Sequence, residues 1–271
     1  MTIRPAGTSA AGDRDRDRGR AGAGAGAVLG GRRVRGVVDH VVLSRPGARL
    51  GGGFWAVVGD FEGDVHAWRF ASEAVERTGP APWLGPRAEE WTSSLDRTHY
   101  IAGVSAVRDA IREGDVYQVN LCRVLSAPLG PAARAAEPDP AGLAEVLAAG
   151  NPAPYAGWVH VPVGARTPAG VPVPPVWVVS ASPELFLRVA GGVVTSGPIK
   201  GTARTAAGLT AKDEAENVMI TDMVRNDLQR VCRPGTVEVT ALLAVEHHPG
   251  LVHLGSTSAG TLLAPVPDSS T

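Results

Sequence analysis

A chain of 271 residues with 44% hydrophobic content has enough apolar side chains to bury one large core or two modest ones, so it reads as globular. Its 26 basic and 27 acidic residues leave a formal net charge of -1; the global field draws in neither nucleic acid nor an anionic membrane, and any anion has to be met locally. No apolar run approaches transmembrane length. The two cysteines, Cys122 and Cys232, lack a second ligand at metal spacing and read as buried thiols of a reducing, cytoplasmic compartment rather than as a disulfide.

In chain order, "DRDRDRGRAGAGAGAVLGGRR" is alternating charge followed by Gly-Ala repeats, too poor in large side chains to offset the entropy of ordering. Residues 1–33 are therefore expected to be a disordered leader, and the absence of a continuous apolar centre argues against a signal peptide. Residues 34–95 form a β-rich region, with "RRVRGVVDHVVLS", "GGFWAVVGDF" and "GDVHAWRFA" as antiparallel strands. The period then changes: Ile101, Val104, Val107 and Ile111 share a helical stripe, Asp96 is placed to cap it and Gly114 to stop it, and a strand carrying Tyr117, Val119 and Leu121 is expected to follow. An Ala- and Pro-rich helix-loop region leads to the strand "YAGWVHVPV". The proline-dense residues 164–175 are expected as a surface hairpin loop. "VWVVSASPELFLRVAGG" and "GVVTSGPIKGT" read as two further strands, the second ending at Lys200. A helix over about residues 211–231 and the strand-like "GTVEVTALLAVEHH" and "LVHLGSTSAGTLL" complete an α+β pattern without internal repeats.

A lysine at a strand end is, by itself, most often a solvated surface charge. The surrounding blocks change that reading. "IREGDVYQVNL", "SASPELFLRV", "GPIKGTA", "KDEAENVMITDMVRNDLQRVC" and "LVHLGST", in this order, resemble the chorismate-binding enzymes: anthranilate synthase component I, aminodeoxychorismate synthase component I, and the isochorismate and salicylate synthases. The resemblance runs from about Asp96 to Leu263. It implies an anthranilate synthase component I-like, two-layered β-sandwich with helices, and assigns residues 96–271 to a partial chorismate-binding domain.

Within that family, aminodeoxychorismate synthases typically read Pro-Ile-Lys-Gly-Thr, where anthranilate, isochorismate and salicylate synthases typically carry alanine at the third place. The resemblance therefore implies that Lys200 attacks carbon 2 of the chorismate ring as the 4-hydroxyl leaves. An amine is a nucleophile only without its proton, so such a site has to desolvate it. Glu184 of "SASPEL" is the implied general acid toward the departing hydroxyl, which calls for an apolar surround. Glu216 of "AEN", with Asp213 one turn earlier, is implied as the magnesium-binding part of the site, since a hard cation neutralises a dianionic substrate. Gly201 and Thr202 would offer an amide and a hydroxyl to a substrate carboxylate, and His253 would line the ring pocket. Gln118 stands where the isochorismate and salicylate synthases place a water-activating lysine. A glutamine cannot be that base, so this position also favours amine addition. Asp222, Arg225, Asn226 and Asp227 read as structural.

The family pattern also departs here. A longer segment usually separates the equivalents of Thr202 and Glu216, and a "GSxTGAPK" motif with a second metal-binding glutamate normally follows; the expectation is a sandwich truncated at its C-terminal side. Two classes of function follow: a chorismate-aminating enzyme subunit acting with a glutamine amidotransferase, or an inactive fragment or pseudoenzyme of the family. Anthranilate synthase is a third reading, disfavoured by Lys200 and by the lack of an "LLES" motif near the N-terminus.

Overall fold

The computed structural model describes residues 24–73, 79, 82–129, 137–150 and 152–264. The chain forms two compact units, Met1–Ala81 with Pro140–Thr271, and Pro82–Asp139.

The first unit contains two antiparallel sheets. One is six-stranded and is built from β1 (Gly26–Leu29), β2 (Arg32–Val42), β3 (Phe54–Gly59), β4 (Val65–Glu73), β7 (Tyr155–Val161) and β8 (Val176–Ser182), in the order β3-β4-β2-β1-β7-β8. Period-2 alternation drives it: Val159 and Val161 of β7 are buried on one face and Trp177 and Val179 of β8 on the other, with intermediate residues between them. Ala25, Ala27, Val34, Val37, Trp68, Phe70, Val159 and Val161 belong to one core cluster. Two expectations are corrected here. The leader cannot extend to residue 33, because Gly30 and Gly31, with φ of 56° and 78°, turn β1 back on β2 as a two-residue hairpin; residues 1–23 of that leader lie outside the described residues. Nor do residues 34–95 form a region of their own, since β1 pairs with β7 and joins the N-terminal strands to a sheet finished much later in the chain.

Residues 164–175 do form a hairpin-like excursion, with the Thr167 amide donating to the Val171 carbonyl, but Ala165, Thr167 and Val173 are buried rather than displayed. Helix α2 (Pro140–Gly150) packs on β7 and β8.

In the second unit, α1 (Arg97–Glu113) begins at Asp96, whose carboxylate accepts the His99 amide, and ends at Gly114 in the left-handed region, as its sequence dictates. Strands β5 (Thr92–Ser93) and β6 (Leu125–Ser126) make the unit's short ladder. The strand expected at residues 117–121 is not formed. Those residues lie in no strand among the described residues, and Tyr117 and Val119 are exposed. Cys122 is likewise exposed, against expectation, whereas Cys232 is buried and burial raises its thiol pKa.

The second sheet of the first unit holds β9 (Leu185–Ala190), β10 (Val193–Gly197), β11 (Ile199–Ala203), β12 (Glu238–His248) and β13 (Leu251–Thr261). The long β13 is its spine. β12 runs along one edge of it; β10 and β11 follow one another along the other, pairing with residues 258–261 and 252–255, and β9 flanks β10. Helix α3 (Ala211–Gln229) packs on β11, β12 and β13, with Val194, Leu228 and Cys232 forming a small core. Among the described residues no helix is long and apolar enough to cross a membrane.

Candidate functional site

Pro198 separates β10 from β11, so "GVVTSGPIKGT" is two strands rather than one ending at Lys200. Along β11, Ile199 pairs with Gly255 and Thr202 with His253: three steps on one strand face two on the other. The extra residue is a β-bulge at Lys200 and Gly201, which explains how an edge of regular sheet can aim one lysine out of register. Gly201 takes φ +92°, a backbone state suited to glycine. Lys200 is half-buried, and its side chain makes no hydrogen bond or ion pair among the described residues.

Glu184 sits in the crossing from β8 to β9, where the chain leaves one sheet for the other, and not on a strand as expected. Its Oε1 accepts the Ile199 amide at 2.9 Å, which pins the carboxylate one residue from Lys200. The apolar surround expected of a general acid is absent, since Glu184 is exposed. On the far side of the bulge, Thr202 Oγ1 lies 2.9 Å from Nδ1 of the buried His253. Burial lowers the His253 pKa from its ordinary value, and His248, edge-on with ring centroids 4.9 Å apart, lowers it further; Glu246 and Glu184 oppose this only in part. Glu184 is thus held at Ile199 and Thr202 at His253, on either side of the bulge that carries Lys200 and Gly201.

The N-terminus of α3 closes on the same bulge. Thr210 and Asp213 form a reciprocal capping box: the Asp213 Oδ2 accepts the Thr210 amide at 2.8 Å and its hydroxyl at 2.7 Å, and these hydrogen bonds hold the Asp213 pKa below the usual carboxylate range. Asp213 is thus first of all a helix cap. Glu216 pairs through Oε1 with Lys212 at 2.7 Å. Among the described residues no three His, Cys, Asp or Glu side chains are gathered to hold a metal. With one carboxylate in a cap and the other in an ion pair, the residues present do not by themselves fit magnesium, which needs a near-octahedral set of oxygens, and no chemical step is derived through it.

Gln118 lies in the other unit, half-buried in the irregular segment after α1. Asp222, Arg225 and Asn226 bond to one another on α3, Arg225 Nη2 donating to Asp222 Oδ1 at 2.7 Å. Four polar residues near the site carry no assignment from the sequence: Glu246 and His248 around His253, and Asn217 and Ser256 beneath it. The last two lie inside the quoted "AEN" and "GST" blocks, but nothing in a linear pattern shows that their side chains point inward.

Residues 62–269 match the family model described as chorismate binding enzyme. The chain belongs to the chorismate-binding enzymes. Among curated relatives of this chorismate-binding chain, anthranilate synthase component 1 of Streptomyces coelicolor is 36% identical over 64% of the chain and 32% of its own length. The aminodeoxychorismate synthase of Streptomyces pristinaespiralis is 33% identical over 72% of the chain and 27% of its own length. Aminodeoxychorismate synthase component 1 of Salmonella typhimurium is 31% identical over 88% of the chain and 52% of its own length. The chain thus spans from about a quarter to a half of the length of these relatives. A solved structure described as a 2,3-dihydroxybenzoate-specific isochorismate synthase from Bacillus anthracis superposes with a TM-score of 0.63 at 21% identity, covering 89% of this chain and 69% of that one. Anthranilate synthase component I of Streptococcus pneumoniae does so at 0.53 and 19%, covering 91% and 59%. The α+β fold is that of the anthranilate synthase component I-like proteins.

A pH dependence follows from the site's imidazole and from His40 in the first sheet, whose Nε2 lies 3.0 Å from His66 Nδ1 and whose pKa burial and His66 also lower. Both histidines hold a proton less tightly folded than unfolded. As pH falls below the unfolded value near 6.5 the unfolded chain takes up more protons, so stability rises with pH through this window and is lost on acidification toward the folded values. Denaturant midpoints should be lower at about pH 5 than at about pH 7.5. The slope should shrink in the His40→Gln, His253→Gln double variant, and an unchanged slope there would exclude these two groups as its source.

Proposed function

We propose that this chorismate-binding chain is the amine-adding part of an aminodeoxychorismate synthase, converting chorismate to 4-amino-4-deoxychorismate for para-aminobenzoate and folate synthesis in the cytoplasm. The observation that carries the reading is Lys200, placed on a bulge between an amide held by Glu184 and a threonine held by His253. A lone surface lysine needs none of this. The lysine belongs to the Pro-Ile-Lys-Gly-Thr pattern that the family resemblance links to amination at carbon 4.

In this reading the Lys200 amine forms a bond to ring carbon 2, the two ring double bonds shift, and the carbon 4–oxygen bond breaks, with the hydroxyl leaving as water after taking a proton from Glu184. Ammonia then bonds to carbon 4 and the double bonds shift back, expelling the lysine as its neutral amine, and the new nitrogen returns a proton to Glu184. The net change is chorismate plus ammonia to aminodeoxychorismate plus water. Splitting one difficult displacement into two is the benefit of the covalent route. His253 and Thr202 line the ring side and offer hydrogen bonds to a carboxylate, and a glutamine amidotransferase is the proposed source of ammonia. Because the relatives are two to four times longer than the matched part, we propose that the remainder of the active site comes from polypeptide beyond these residues.

Anthranilate synthase is a second reading, favoured by the 36% identity to the Streptomyces coelicolor protein. The products separate the two. The purified chain, alone and joined to the C-terminal remainder of an aminodeoxychorismate synthase component 1, is incubated with chorismate, ammonium and magnesium and followed by liquid chromatography and mass spectrometry. The joined protein is expected to form 4-amino-4-deoxychorismate and the chain alone none. Anthranilate as the sole product overturns the assignment, and rapid turnover by the chain alone overturns the division of the site.

A further inference from the structure

Ser256 of β13 is the point at which the strands around Lys200 are tied together. Its backbone amide donates to the Pro198 carbonyl at 3.1 Å, immediately before Ile199 and Lys200. Its hydroxyl accepts the Leu243 amide at 3.0 Å from the opposite edge of the sheet, where β12 has its own bulge and Leu243 stands at φ +53°. The same hydroxyl gives its proton to Asn217 Oδ1 on α3. Asn217 is wholly buried, and its Nδ2 donates to the Leu254 carbonyl at 2.9 Å, between His253 and Gly255. Thr221 Oγ1 donates in turn to the Asn217 carbonyl at 2.6 Å. The orientation of the amide is forced: the Leu254 carbonyl can only accept, so nitrogen must face it and oxygen must face Ser256.

We infer that Asn217 and Ser256 are positioning residues for the Lys200 site, a buried amide–hydroxyl pair that holds the start of β11, the His253 strand and the Glu216 turn of α3 in a single register. The function of that register rests on the proposed reading of the site; its existence does not. The physical need for it comes from the bulge. A bulge that migrates by one residue turns the side chains it passes to the other face of the sheet, so an unheld β11 does not keep Lys200 and Thr202 on fixed faces. β12 gives β13 no fixed register just beyond this level, because its own bulge lies opposite Gly255–Thr257, next to the Leu254 level of the β11 bulge. Fastening Pro198 and Leu243 to one residue, and that residue to the helix seated on Gly201, supplies that register.

The test is amide hydrogen exchange, followed by NMR on the full chain. Ser256→Ala leaves the Leu243 amide without its hydroxyl acceptor and Asn217 Oδ1 with only the long 3.5 Å contact to Thr221 Oγ1, so protection of the Leu243 and Ile199 amides is expected to fall about tenfold or more, the size of effect that follows when a buried donor loses its acceptor. The Phe70 amide, in the other sheet, should keep wild-type protection and thereby reports that the variant is folded. Asn217→Asp supplies a signature that simple packing does not give. As a neutral acid it can donate to Leu254 and accept from Ser256; as a carboxylate it cannot donate. Ile199 protection in that variant should therefore approach wild type at acid pH and be lost on ionisation, whereas Asn217→Leu stays low throughout. Wild-type protection of Ile199 and Leu243 in Ser256→Ala, or an Asn217→Asp variant that tracks Asn217→Leu at every pH, overturns the inference. Neither readout uses turnover, so a chain that forms no aminodeoxychorismate can still confirm the register, and an active enzyme without it refutes the register alone.

Discussion

Lys200→Ala, in the chain joined to the remainder of an aminodeoxychorismate synthase, is expected to lower ammonia-dependent formation of 4-amino-4-deoxychorismate by about a hundredfold or more, because on the proposed reading it removes the nucleophile rather than a contact. Stability should hardly change. The lysine side chain makes no hydrogen bond or ion pair among the described residues, so its removal orphans no buried partner, and an unfolding free energy within about 0.5 kcal/mol of wild type is expected. The altered motif would read Pro-Ile-Ala-Gly-Thr, as in the anthranilate synthases, and traces of anthranilate or aminodeoxyisochorismate from direct attack of ammonia at carbon 2 are a further expected product. Mass spectrometry gives an independent reading, because the chain has only two lysines, Lys200 and Lys212. An adduct formed with chorismate should map to the Lys200 peptide and not to Lys212, which is engaged by Glu216. An unmodified Lys200 peptide together with wild-type turnover in Lys200→Ala would return the residue to the status of an ordinary surface charge.

What was legible in the sequence and what was not divides along a physical line. Helix α1 was readable end to end because its cap, its stripe and its stop are local: Asp96, Ile101 to Ile111, and Gly114 act within a few residues of one another. The alternation in β7 and β8 was equally local. Pairing is not local, and there the reading failed. Tyr117, Val119 and Leu121 carry a strand's pattern but lie in no strand, while the modest "GAVL" of β1 becomes a strand because Gly30 and Gly31 fold it onto β2 and β7 is there to receive it. The site shows the same division. The blocks named Lys200, Glu184, Thr202 and His253, which the structure sets around one bulge through the Glu184–Ile199 and Thr202–His253 hydrogen bonds. The bulge that aims the lysine depends on a count of residues across two strands distant in sequence, which no single segment contains. Asp213 was assigned from its place one turn before Glu216, yet the cap it closes with Thr210 was equally written in "TAKD", a threonine three residues ahead of an acid at a helix start.

That cap makes Gly201 a position where a single methyl group should be costly. A Cβ built at Gly201 falls 2.7 Å from the Asp213 Cβ and 3.1 Å from its Cγ, and the backbone there stands at φ +92°. Asp213 cannot swing aside freely, because its carboxylate and amide are both committed to Thr210. Gly201→Ala therefore combines backbone strain of about 1–2 kcal/mol with either a displaced α3 N-terminus or a broken cap, itself about 1 kcal/mol. A total loss of roughly 2–4 kcal/mol is expected, lowering the melting midpoint by about 5 °C or more. Gly250→Ala is the matched control: it has a similar φ of +78° in the β12–β13 turn but nothing within 4 Å of the methyl it would gain, so it should show the strain alone. Combining Gly201→Ala with Asp213→Gly, which removes the opposing Cβ, should cost less than the sum of the two single changes. If Gly201→Ala costs no more than Gly250→Ala, and the double variant is strictly additive, α3 does not rest on the bulge and the close approach that seats Lys200 is not part of what holds the fold.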